Sequence, residues 1–304
     1  MSAVAVTAAT AGSVLASGAA VAPAQALAPE AVAPAAARGV TAAPKAPTVT
    51  ARGAFLMNAG TGRTLYAKAA DTRLPTGSTT KIMTAKVVLA SKGLDLDAKV
   101  TVQKAYSDYI VRNTASSARL IVGDRVTVRQ LLYGLMLPSG CDAAYALADK
   151  FGSGGTREAR VKSFIGKMNA TARSLGLKNT HFDSFDGGGG RGNYSTARDL
   201  TRLAVSAMQN ATFRKVVATK STKQRTVTRS GGTREMSWKN TNPLLTSYRG
   251  TLGIKTGSGP QAKYCLVFAT KRGNKTLYGT LLASSSDVNR AKDAGKLLNY
   301  GFAR

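Results

Sequence analysis

Residues 264–282 read YCLVFATKRGNKTLYGTLL, and their pattern predicts a β-hairpin. Two runs rich in apolar, aromatic and β-branched residues, 264–270 and 276–282, flank a turn at Arg272-Gly273-Asn274. Such a pattern predicts two strands that are antiparallel neighbours. Near the other end of the chain, residues 54–58 and 64–66 flank a glycine turn in the same way, which predicts a second hairpin.

The chain between these two regions has the periodicity of helices. Helices are predicted by apolar residues at helical spacing and by glycine, proline or capping residues at their ends. They span 78–90, 127–136, 142–150, 161–175 and 196–208, with Ser195 as the cap of the last, and a helix over 287–300 closes the chain. Strands at both ends with helices between them predict an α/β (α+β) fold, in which the two ends of the chain build an antiparallel sheet that carries a helical insert.

One short motif stands at the predicted start of the first helix. Ser78-Thr79-Thr80-Lys81 is the one Ser-x-x-Lys in the chain, and a spacing of three places both side chains on one helix face. A serine hydroxyl becomes a nucleophile when a neighbouring base removes its proton, and a lysine in a partly desolvated cleft near other cations can serve as that base. The alternative is a helix cap with a solvated lysine.

Two further motifs follow in order. Ser139-Gly140-Cys141 comes after a predicted helix, and Lys255-Thr256-Gly257 opens a β-rich run. A second serine and a second lysine provide a hydrogen-bond relay that moves a proton to a leaving amine, and the lysine charge with the threonine hydroxyl suits a substrate carboxylate. The glycine leaves room for a substrate backbone at the strand edge. Each motif alone is typical of a turn, but the three together indicate an acyl-transfer site.

In these motifs the chain resembles the low-molecular-weight penicillin-binding serine DD-peptidases, which are D-alanyl-D-alanine carboxypeptidases and transpeptidases. The resemblance runs from about Ala54 to the C-terminus and is carried by 76–85, 135–144, 175–182 and 253–257. Most members have asparagine where this chain has Cys141. With cysteine at that place, the chain also resembles the small exported DD-transpeptidases of actinomycetes.

The resemblance implies the fold and its division. The expected fold is β-lactamase/DD-peptidase-like, with an antiparallel five-stranded sheet flanked by helices and an all-helical insert. The catalytic domain would span 49–304, with 49–75 and 210–304 in the sheet region and 76–209 in the mainly helical region.

The resemblance also implies a role for each motif residue. Ser78 would be the acylated nucleophile, Lys81 its base and Ser139 the proton relay, while the backbone N–H groups of Ser78 and Ser258 would form the oxyanion hole. The residues expected to bind substrate are Cys141, Lys255, Thr256, Gly257 and Ser258. The implied reaction releases D-alanine from peptidoglycan stem peptides and passes the acyl group to water or an amine. It needs no cofactor and no metal, and β-lactam antibiotics would be covalent inhibitors.

Two alternatives stay open at this point. A serine β-lactamase shares the fold and the Ser-x-x-Lys, but the class with the closest motifs uses a glutamate to position the deacylating water. Beyond Glu30 the chain has only Glu158 and Glu235, and neither stands in a Glu-x-x-Leu-Asn context. We therefore expect a penicilloyl enzyme to persist. The non-enzymatic alternative is a basic wall-binding module that kept the fold and lost catalysis.

The net positive charge of the chain indicates which kinds of binding partner it could attract. The chain has 43 Lys+Arg against 15 Asp+Glu, a formal net charge of +28, and a surface of this kind attracts polyanions. The cations are scattered, aromatic residues make up only 6%, and no zinc-finger, basic-zipper or RNP pattern occurs. These features disfavour nucleic acid and leave anionic wall polymers or the membrane surface as candidate diffuse partners.

The N-terminal region predicts export. Residues 1–26 contain no charged side chain and end in Ala24-Gln25-Ala26, the small-x-small pattern that a signal peptidase cuts. The alternative is a low-complexity tail. Residues 27–48 repeat alanine and proline and predict an extended linker, so the folded unit begins near Val49. The expected location is the cell wall or the outer face of the plasma membrane.

Four more features are interpreted structurally. His181 is expected to lie outside the site, and Cys141 and Cys265 are expected to be free thiols. A thiolate is predicted at Cys141 because the charges of Lys81 and Lys255, which are expected near it, would favour the deprotonated form. Asp183 and Asp186 with the glycine run 187–190 predict a flexible loop at the cleft edge, because no third metal ligand follows at a suitable spacing.

Overall fold

A computed structural model describes residues 11–16, 18–19 and 44–304. Most of the predicted signal peptide, 1–26, and of the predicted linker, 27–48, lies outside the described residues. A compact unit spans Ala43–Arg304, and Val49 is the first buried side chain of the described chain.

The strands of the described chain form three sheets. Their bounds are β1 Gly53–Asn58, β2 Thr64–Lys68, β3 Leu74–Pro75, β4 Lys99–Thr101, β5 Arg125–Thr127, β6 Tyr194–Ser195, β7 Ser221–Val227, β8 Thr233–Lys239, β9 Thr251–Gly259, β10 Lys263–Arg272 and β11 Lys275–Ser284.

The helices lie mostly between β3 and β7. A 3₁₀ turn, Gly77–Thr80, leads into the first of them. Their bounds are α1 Lys81–Leu89, α2 Lys104–Asn113, α3 Val128–Met136, α4 Cys141–Phe151, α5 Arg157–Ser174, α6 Ala197–Ala207, α7 Ala211–Ala218, α8 Leu244–Ser247 and α9 Asp287–Phe302. Among the described residues no helix is both long enough and apolar enough to cross a bilayer.

The main sheet has five antiparallel strands in the order β2-β1-β11-β10-β9. Gly53 is the register partner of Leu282, so the first strand pairs with the last. This confirms the prediction of an antiparallel sheet assembled from the two ends of the chain. Both predicted hairpins are present, as β1–β2 and β10–β11.

The main sheet is buried on both faces. On one face Leu266, Phe268 and Leu281 pack with Leu297 and Leu298 of α9. The other face packs against the helical core, which includes residues of α1, α3, α4 and α6. Alternating side chains of β10 and β11 therefore enter two separate apolar clusters, which explains why these strands read as continuous apolar runs.

A second sheet, here called the small sheet, has the order β4-β5-β7-β8. The sequence interpretation placed 210–304 in the main sheet region, but β7 and β8 pair with strands from the helical region instead. The reason is that Met236 and Trp238 of β8 are buried, and the Trp238 ring donates a hydrogen bond of 2.8 Å from Nε1 to the carbonyl of Ala118. This contact holds the hairpin against the helical region.

Two details of the helical predictions are wrong. The cap of α6 is Thr196, whose side chain accepts a hydrogen bond from the Asp199 N–H, while Ser195 lies in β6. The 161–175 helix begins earlier, at Arg157, because the Thr156 side chain caps it there. Helices α2 and α7 and the short α8 were not predicted.

Candidate active site

The turn that carries Ser78 joins β3 to α1. Ser78 lies in the 3₁₀ turn and is half-buried, and Lys81 is the first residue of α1 and is fully buried. Lys81 Nζ donates a hydrogen bond of 2.7 Å to Ser78 Oγ. The amide of Asn193 donates to Thr76 Oγ1 at 2.8 Å and to Thr80 Oγ1 at 3.1 Å, which ties both ends of the turn to one side chain.

The ammonium group of Lys81 has three polar neighbours. Besides Ser78 it donates to the carbonyl of Asp186 at 3.1 Å and to Cys141 Sγ at 3.3 Å. No carboxylate among the described residues forms an ion pair with it. The amine of Lys81 is therefore held by neutral partners, one of which is the Ser78 hydroxyl.

The second motif is the loop between α3 and α4. Ser139 has a φ of 67°, a left-handed conformation that is uncommon for a residue with a side chain. Its carbonyl accepts a hydrogen bond of 2.6 Å from Ser116 Oγ, which fixes the loop. Its own Oγ is buried and has no partner within the described chain. This hydroxyl is thus held at the cleft with its hydrogen bonds unused.

Cys141 contradicts one expectation. Its side chain borders the cleft and is 5% exposed, and burial raises the pKa of its thiol above the ordinary value although the Lys81 charge acts in the other direction. The predicted thiolate is therefore wrong. The error arises because spacing indicated the nearby lysine but not the depth of burial.

The third motif lies on β9, the edge strand of the main sheet. Lys255 is 1% exposed, and its ammonium donates to the carbonyl of Thr256 at 3.0 Å. Burial, reinforced by the Lys81 charge, holds the pKa of Lys255 well below its ordinary value. Thr256 Oγ1 is 2.6 Å from Thr241 Oγ1, so the hydroxyl at the cleft is oriented by the segment that follows β8.

Two glycines allow β9 and the serine turn to meet. A Cβ on Gly257 would lie 2.8 Å from the Thr76 carbonyl oxygen, and a Cβ on Gly77 would lie 3.1 Å from the Ser258 N–H nitrogen. Gly77 also has a φ of 49°. This close approach sets Gly257 and Ser258 of β9 against the turn that carries Ser78.

A cleft of about 1030 Å³ opens between the main sheet and the helical region. The predicted residues on its walls are Ser78, Ser139, Cys141, Thr256, Gly257 and Ser258. Lys81 and Lys255 lie behind these walls and reach it through Ser78 and Thr256. All eight predicted site residues thus come together around one cavity, although they are spread over 180 positions of the chain.

Sequence reasoning assigned no role in the acyl-transfer site to three residues of this cleft, although it placed Asp186 at the cleft edge. Arg290 of α9 is largely buried there, and its Nη1 donates to the carbonyl of Gly257 at 3.2 Å. The Tyr109 hydroxyl of α2 donates to Asp186 Oδ2 at 3.0 Å, and the Asp186 carbonyl is the one that Lys81 contacts. None of the three lies in a short motif, so no spacing signal could identify them.

Other candidate groups lie elsewhere. His181 contacts the carbonyl of Gly192 through Nδ1 at 2.6 Å and does not border the cleft. Glu158 lies in the first turn of α5 and lines a separate groove. Glu235 forms an ion pair of 3.0 Å with Lys223 on the small sheet. Both cysteines are free, as predicted. The glycine run 187–190 borders the cleft, and no group of three metal-binding side chains occurs in the described part of the chain.

Comparison with known proteins identifies a family. The family model described as D-alanyl-D-alanine carboxypeptidase matches residues 40–285. The D-alanyl-D-alanine carboxypeptidase of Streptomyces sp. (strain K15) is 69% identical over 258 residues, which are 84% of this chain and 89% of that protein. The carboxypeptidase DacF of Bacillus subtilis is 33% identical over 255 residues, 84% of this chain and 62% of that protein.

Solved structures agree. The crystal structure of the Streptomyces K15 DD-transpeptidase has 70% sequence identity and a TM-score of 0.85, and the match covers 86% of this chain and 100% of that one. A penicillin-binding protein homolog from Mycobacterium tuberculosis has 29% identity and a TM-score of 0.73, with 86% of this chain and 95% of that one covered. The similarity therefore covers the whole region in which the cleft lies.

Proposed function

The chain belongs to the D-alanyl-D-alanine carboxypeptidase family and is a serine-type D-Ala-D-Ala carboxypeptidase/DD-transpeptidase, and we propose that it works through an acyl-enzyme on Ser78. The observation that carries this proposal is the hydrogen bond of 2.7 Å between Lys81 Nζ and Ser78 Oγ at the wall of the cleft. The proposed substrates are peptidoglycan stem peptides that end in D-alanyl-D-alanine.

Acylation begins at this pair. Neutral Lys81 accepts the proton of Ser78 Oγ, and the oxygen attacks the carbonyl carbon of the penultimate D-alanine. The N–H groups of Ser78 and Ser258 stabilise the oxyanion. The leaving D-alanine nitrogen needs a proton as the C–N bond breaks. The unpartnered Ser139 hydroxyl is suited to pass that proton from Lys81 to the leaving amine.

The substrate carboxylate is proposed to bind at the β9 side of the cleft. Lys255 contributes its charge from behind the Thr256 hydroxyl, since its own ammonium is buried against the Thr256 carbonyl. Arg290 lies on the same wall and adds a cation there. Thr241 orients the Thr256 hydroxyl toward the carboxylate by the 2.6 Å contact. The Arg290 cation on this wall favours a substrate with a free C-terminal carboxylate over an internal peptide bond.

Deacylation transfers the acyl group to water or to an amine. With either acceptor the proton moves in the opposite direction to that in acylation: Lys81 takes a proton from the incoming water or amine, and Ser78 Oγ regains its proton as the acyl bond breaks. A β-lactam enters the same sequence, but its ring nitrogen stays attached after the amide opens. We propose that the penicilloyl enzyme is long-lived, because neither Glu158 nor Glu235 lies at the cleft to position water. This feature disfavours the β-lactamase alternative.

Intact-protein mass spectrometry after exposure to benzylpenicillin tests the proposal. We expect one adduct of the full mass of the drug, located to the peptide that contains Ser78, and D-alanine release from an acyl-D-alanyl-D-alanine peptide. Ser78→Ala should abolish both, while the control Ser237→Ala, on the exposed face of the small sheet, should keep both. An adduct on Ser139 or Cys141 would show that the nucleophile is assigned wrongly, and no adduct at all would favour the non-catalytic wall-binding module.

The remaining partners and the location are proposals as well. Export to the cell wall or to the outer face of the plasma membrane fits the substrate and the predicted signal peptide 1–26. Anionic wall polymers are the proposed diffuse partners, because the net charge of +28 attracts polyanions.

A further inference from the structure

The small sheet has one buried face and one solvent face. Val100, Val126, Met236 and Trp238 are buried on the inner side. The register pairs Lys99 with Thr127, Thr101 with Arg125, Arg125 with Val227 and each odd-numbered residue of β7 with an odd-numbered residue of β8. Cross-strand partners share a face, so the outer side chains of all four strands form one continuous surface.

This surface is strongly cationic, and we call it the basic face. Of its twelve positions five carry a cation and one carries a carboxylate. The cations, all exposed, are Lys99, Arg125, Lys223, Arg225 and Lys239. The carboxylate is Glu235, which pairs with Lys223 at 3.0 Å while both side chains stay about half exposed or more, at 48% and 75%. Such an exposed pair is weak, so Lys223 is available to another anion.

Hydroxyl groups occupy most of the other positions. They belong to Thr101, Thr127, Ser221, Thr233 and Ser237. Side chains on one face repeat about every 7 Å along a strand and about every 4.8 Å across strands. The basic face therefore offers a grid of cations with hydroxyl donors between them, which matches a chain of phosphodiesters better than a single anion.

We propose that the basic face binds a polyol-phosphate polymer of the cell wall, a chain in which phosphodiesters alternate with polyols. The attraction rests on charge complementarity between the five cations and successive phosphates, and on release of the counterions that the polymer carries. This binding site is separate from the acyl-transfer site, and the proposal does not rest on the roles assigned to Ser78 or Lys81.

The basic face lies next to the cleft, so a polymer bound there would lie close to the acyl-transfer site. β8 ends at Lys239, and Thr241, two residues later, borders the cleft and contacts Thr256. The inner side of the same strand is tied through Trp238 to Ala118, close to the second motif. A polymer on the basic face is thereby held beside the mouth of the cleft. If that polymer is attached to peptidoglycan, stem peptides are concentrated there.

The chemistry of the face favours a polymer over a bilayer surface. Membrane-surface binding normally combines cations with apolar side chains that enter the interface. The basic face has one apolar member, Val227, which is only partly exposed. The exposed large apolar side chains of the compact unit, Val111, Ile121, Val122 and Val288, lie outside this face.

Binding of fluorescently labelled poly(glycerol phosphate) to the full chain tests the proposal. The face variant changes Arg125, Lys223, Arg225 and Lys239 to glutamine. The control variant changes Lys162, Arg173, Lys178 and Lys292, all exposed and on helices or loops elsewhere, to glutamine. Both variants lose four positive charges, so the total charge is matched. The rate of penicillin acylation and the melting temperature report whether each variant is folded and whether the acyl-transfer site is intact.

We expect the face variant to lose about tenfold or more in affinity and the control variant to change by less than about twofold. The slope of log affinity against log salt should flatten by about three in the face variant, since four phosphate contacts are removed at about 0.7 each. Should the face variant fail to fold, the pair Lys223→Gln/Lys239→Gln is compared with Lys162→Gln/Lys178→Gln under the same expectation, with a smaller loss.

Three results would overturn the proposal. The first is an equal loss of affinity in the face and control variants, which would assign the attraction to net charge. The second is binding of poly(L-glutamate) as tight as that of poly(glycerol phosphate). The third is binding of the unchanged protein to phosphatidylglycerol vesicles but not to the polymer, which would make the face a membrane contact.

Discussion

The carbonyl oxygen of Thr76 lies 2.8 Å from the point at which a side chain on Gly257 would begin. The strand that carries the third motif therefore touches the turn that carries the nucleophile, with no room for a methyl group. We therefore expect the distance between the proposed oxyanion donors, the N–H groups of Ser78 and Ser258, to depend on this contact.

Gly257→Ala should slow acylation by benzylpenicillin about 10- to 100-fold, because a shift of β9 of a few tenths of an ångström or more misplaces one oxyanion donor. Gly259→Ala is the matched control on the same strand, since a Cβ there meets nothing within 4 Å. We expect it to acylate within about twofold of the unchanged protein. Stopped-flow acylation rates check both, and equal rates for the two variants would contradict the contact.

The penicilloyl enzyme should survive for minutes or longer, because no glutamate borders the cleft within the described chain. Mass spectra taken at intervals after removal of free drug measure its decay. Glu158→Gln and Glu235→Gln should leave the decay rate unchanged, since Glu158 lies in a separate groove and Glu235 on the small sheet. Fast and repeated turnover of penicillin, or a decay slowed by either substitution, would restore the β-lactamase alternative.

Cys141 should react slowly with a bulky disulfide reagent at neutral pH, since burial raises the pKa of its thiol above 9.0. The rate should rise with pH through and beyond that value, because the thiolate is the reacting form. Cys141→Ala is the control that assigns the reacting thiol to Cys141, because it should abolish the reaction. Cys265 should not contribute, since it is fully buried and burial raises the pKa of its thiol to about 11. Prior acylation of Ser78 should slow the reaction further. A rate at neutral pH equal to that of a free exposed thiol would show that the site stabilises the thiolate after all.

Lys255 should make the protein more stable as the pH rises on the alkaline side. Its folded-state pKa lies well below 10.5, so between that pKa and 10.5 the unfolded chain binds a proton that the folded chain does not. Unfolding takes up that proton, and the free energy of unfolding gains up to about 1.4 kcal/mol per pH unit across this window. The contribution stops growing above 10.5, where the unfolded lysine also loses its proton.

The measurement is the melting temperature as a function of pH in Lys255→Met, compared with Lys271→Met. Lys271 is an exposed lysine near the end of β10. We expect the melting temperature of the unchanged protein and of Lys271→Met to rise, relative to that of Lys255→Met, as the pH increases toward 10.5. Parallel pH profiles for all three proteins would mean that Lys255 keeps its ordinary proton affinity in the fold.

The parts of the fold that the sequence predicted are those with strong local patterns. The continuous apolar runs of β10 and β11 identified the main sheet, and the motif at Ser78 identified the start of α1. The small sheet was missed because β4 and β5 have three residues each, too few for a period to show, and because β7, Ser221–Val227, has Val227 as its one apolar residue. The cap of α6 was placed one residue early, since Ser195 and Thr196 are both good capping residues and only the backbone conformation distinguishes them.

The sequence predicted which motif residues come together at the cleft, but not how deeply their side chains are buried. Ser78, Ser139 and Lys255 could be predicted as site residues because each stands in a short motif whose residue types and order indicate its chemistry. Arg290 was missed because its role arises from where α9 packs on the main sheet, a long-range contact with no local pattern. The state of the Cys141 thiol was predicted wrongly for a related reason, as desolvation is a property of the packed core rather than of the neighbouring residues.

The insertion of the first strand between β2 and β11 also determines when activity can appear during synthesis. β9 is held at the Ser78 turn by β10, which is held by β11, and β11 pairs with β1 near the start of the compact unit. Contacts between such distant segments form late and make folding slow, since a long loop must close before they are gained. A nascent chain in which β11, Lys275–Ser284, is not yet made cannot close the sheet, so the proposed oxyanion donor of Ser258 is not yet held at the Ser78 turn. We therefore expect acylation at Ser78 only after β11 has paired with both β1 and β10.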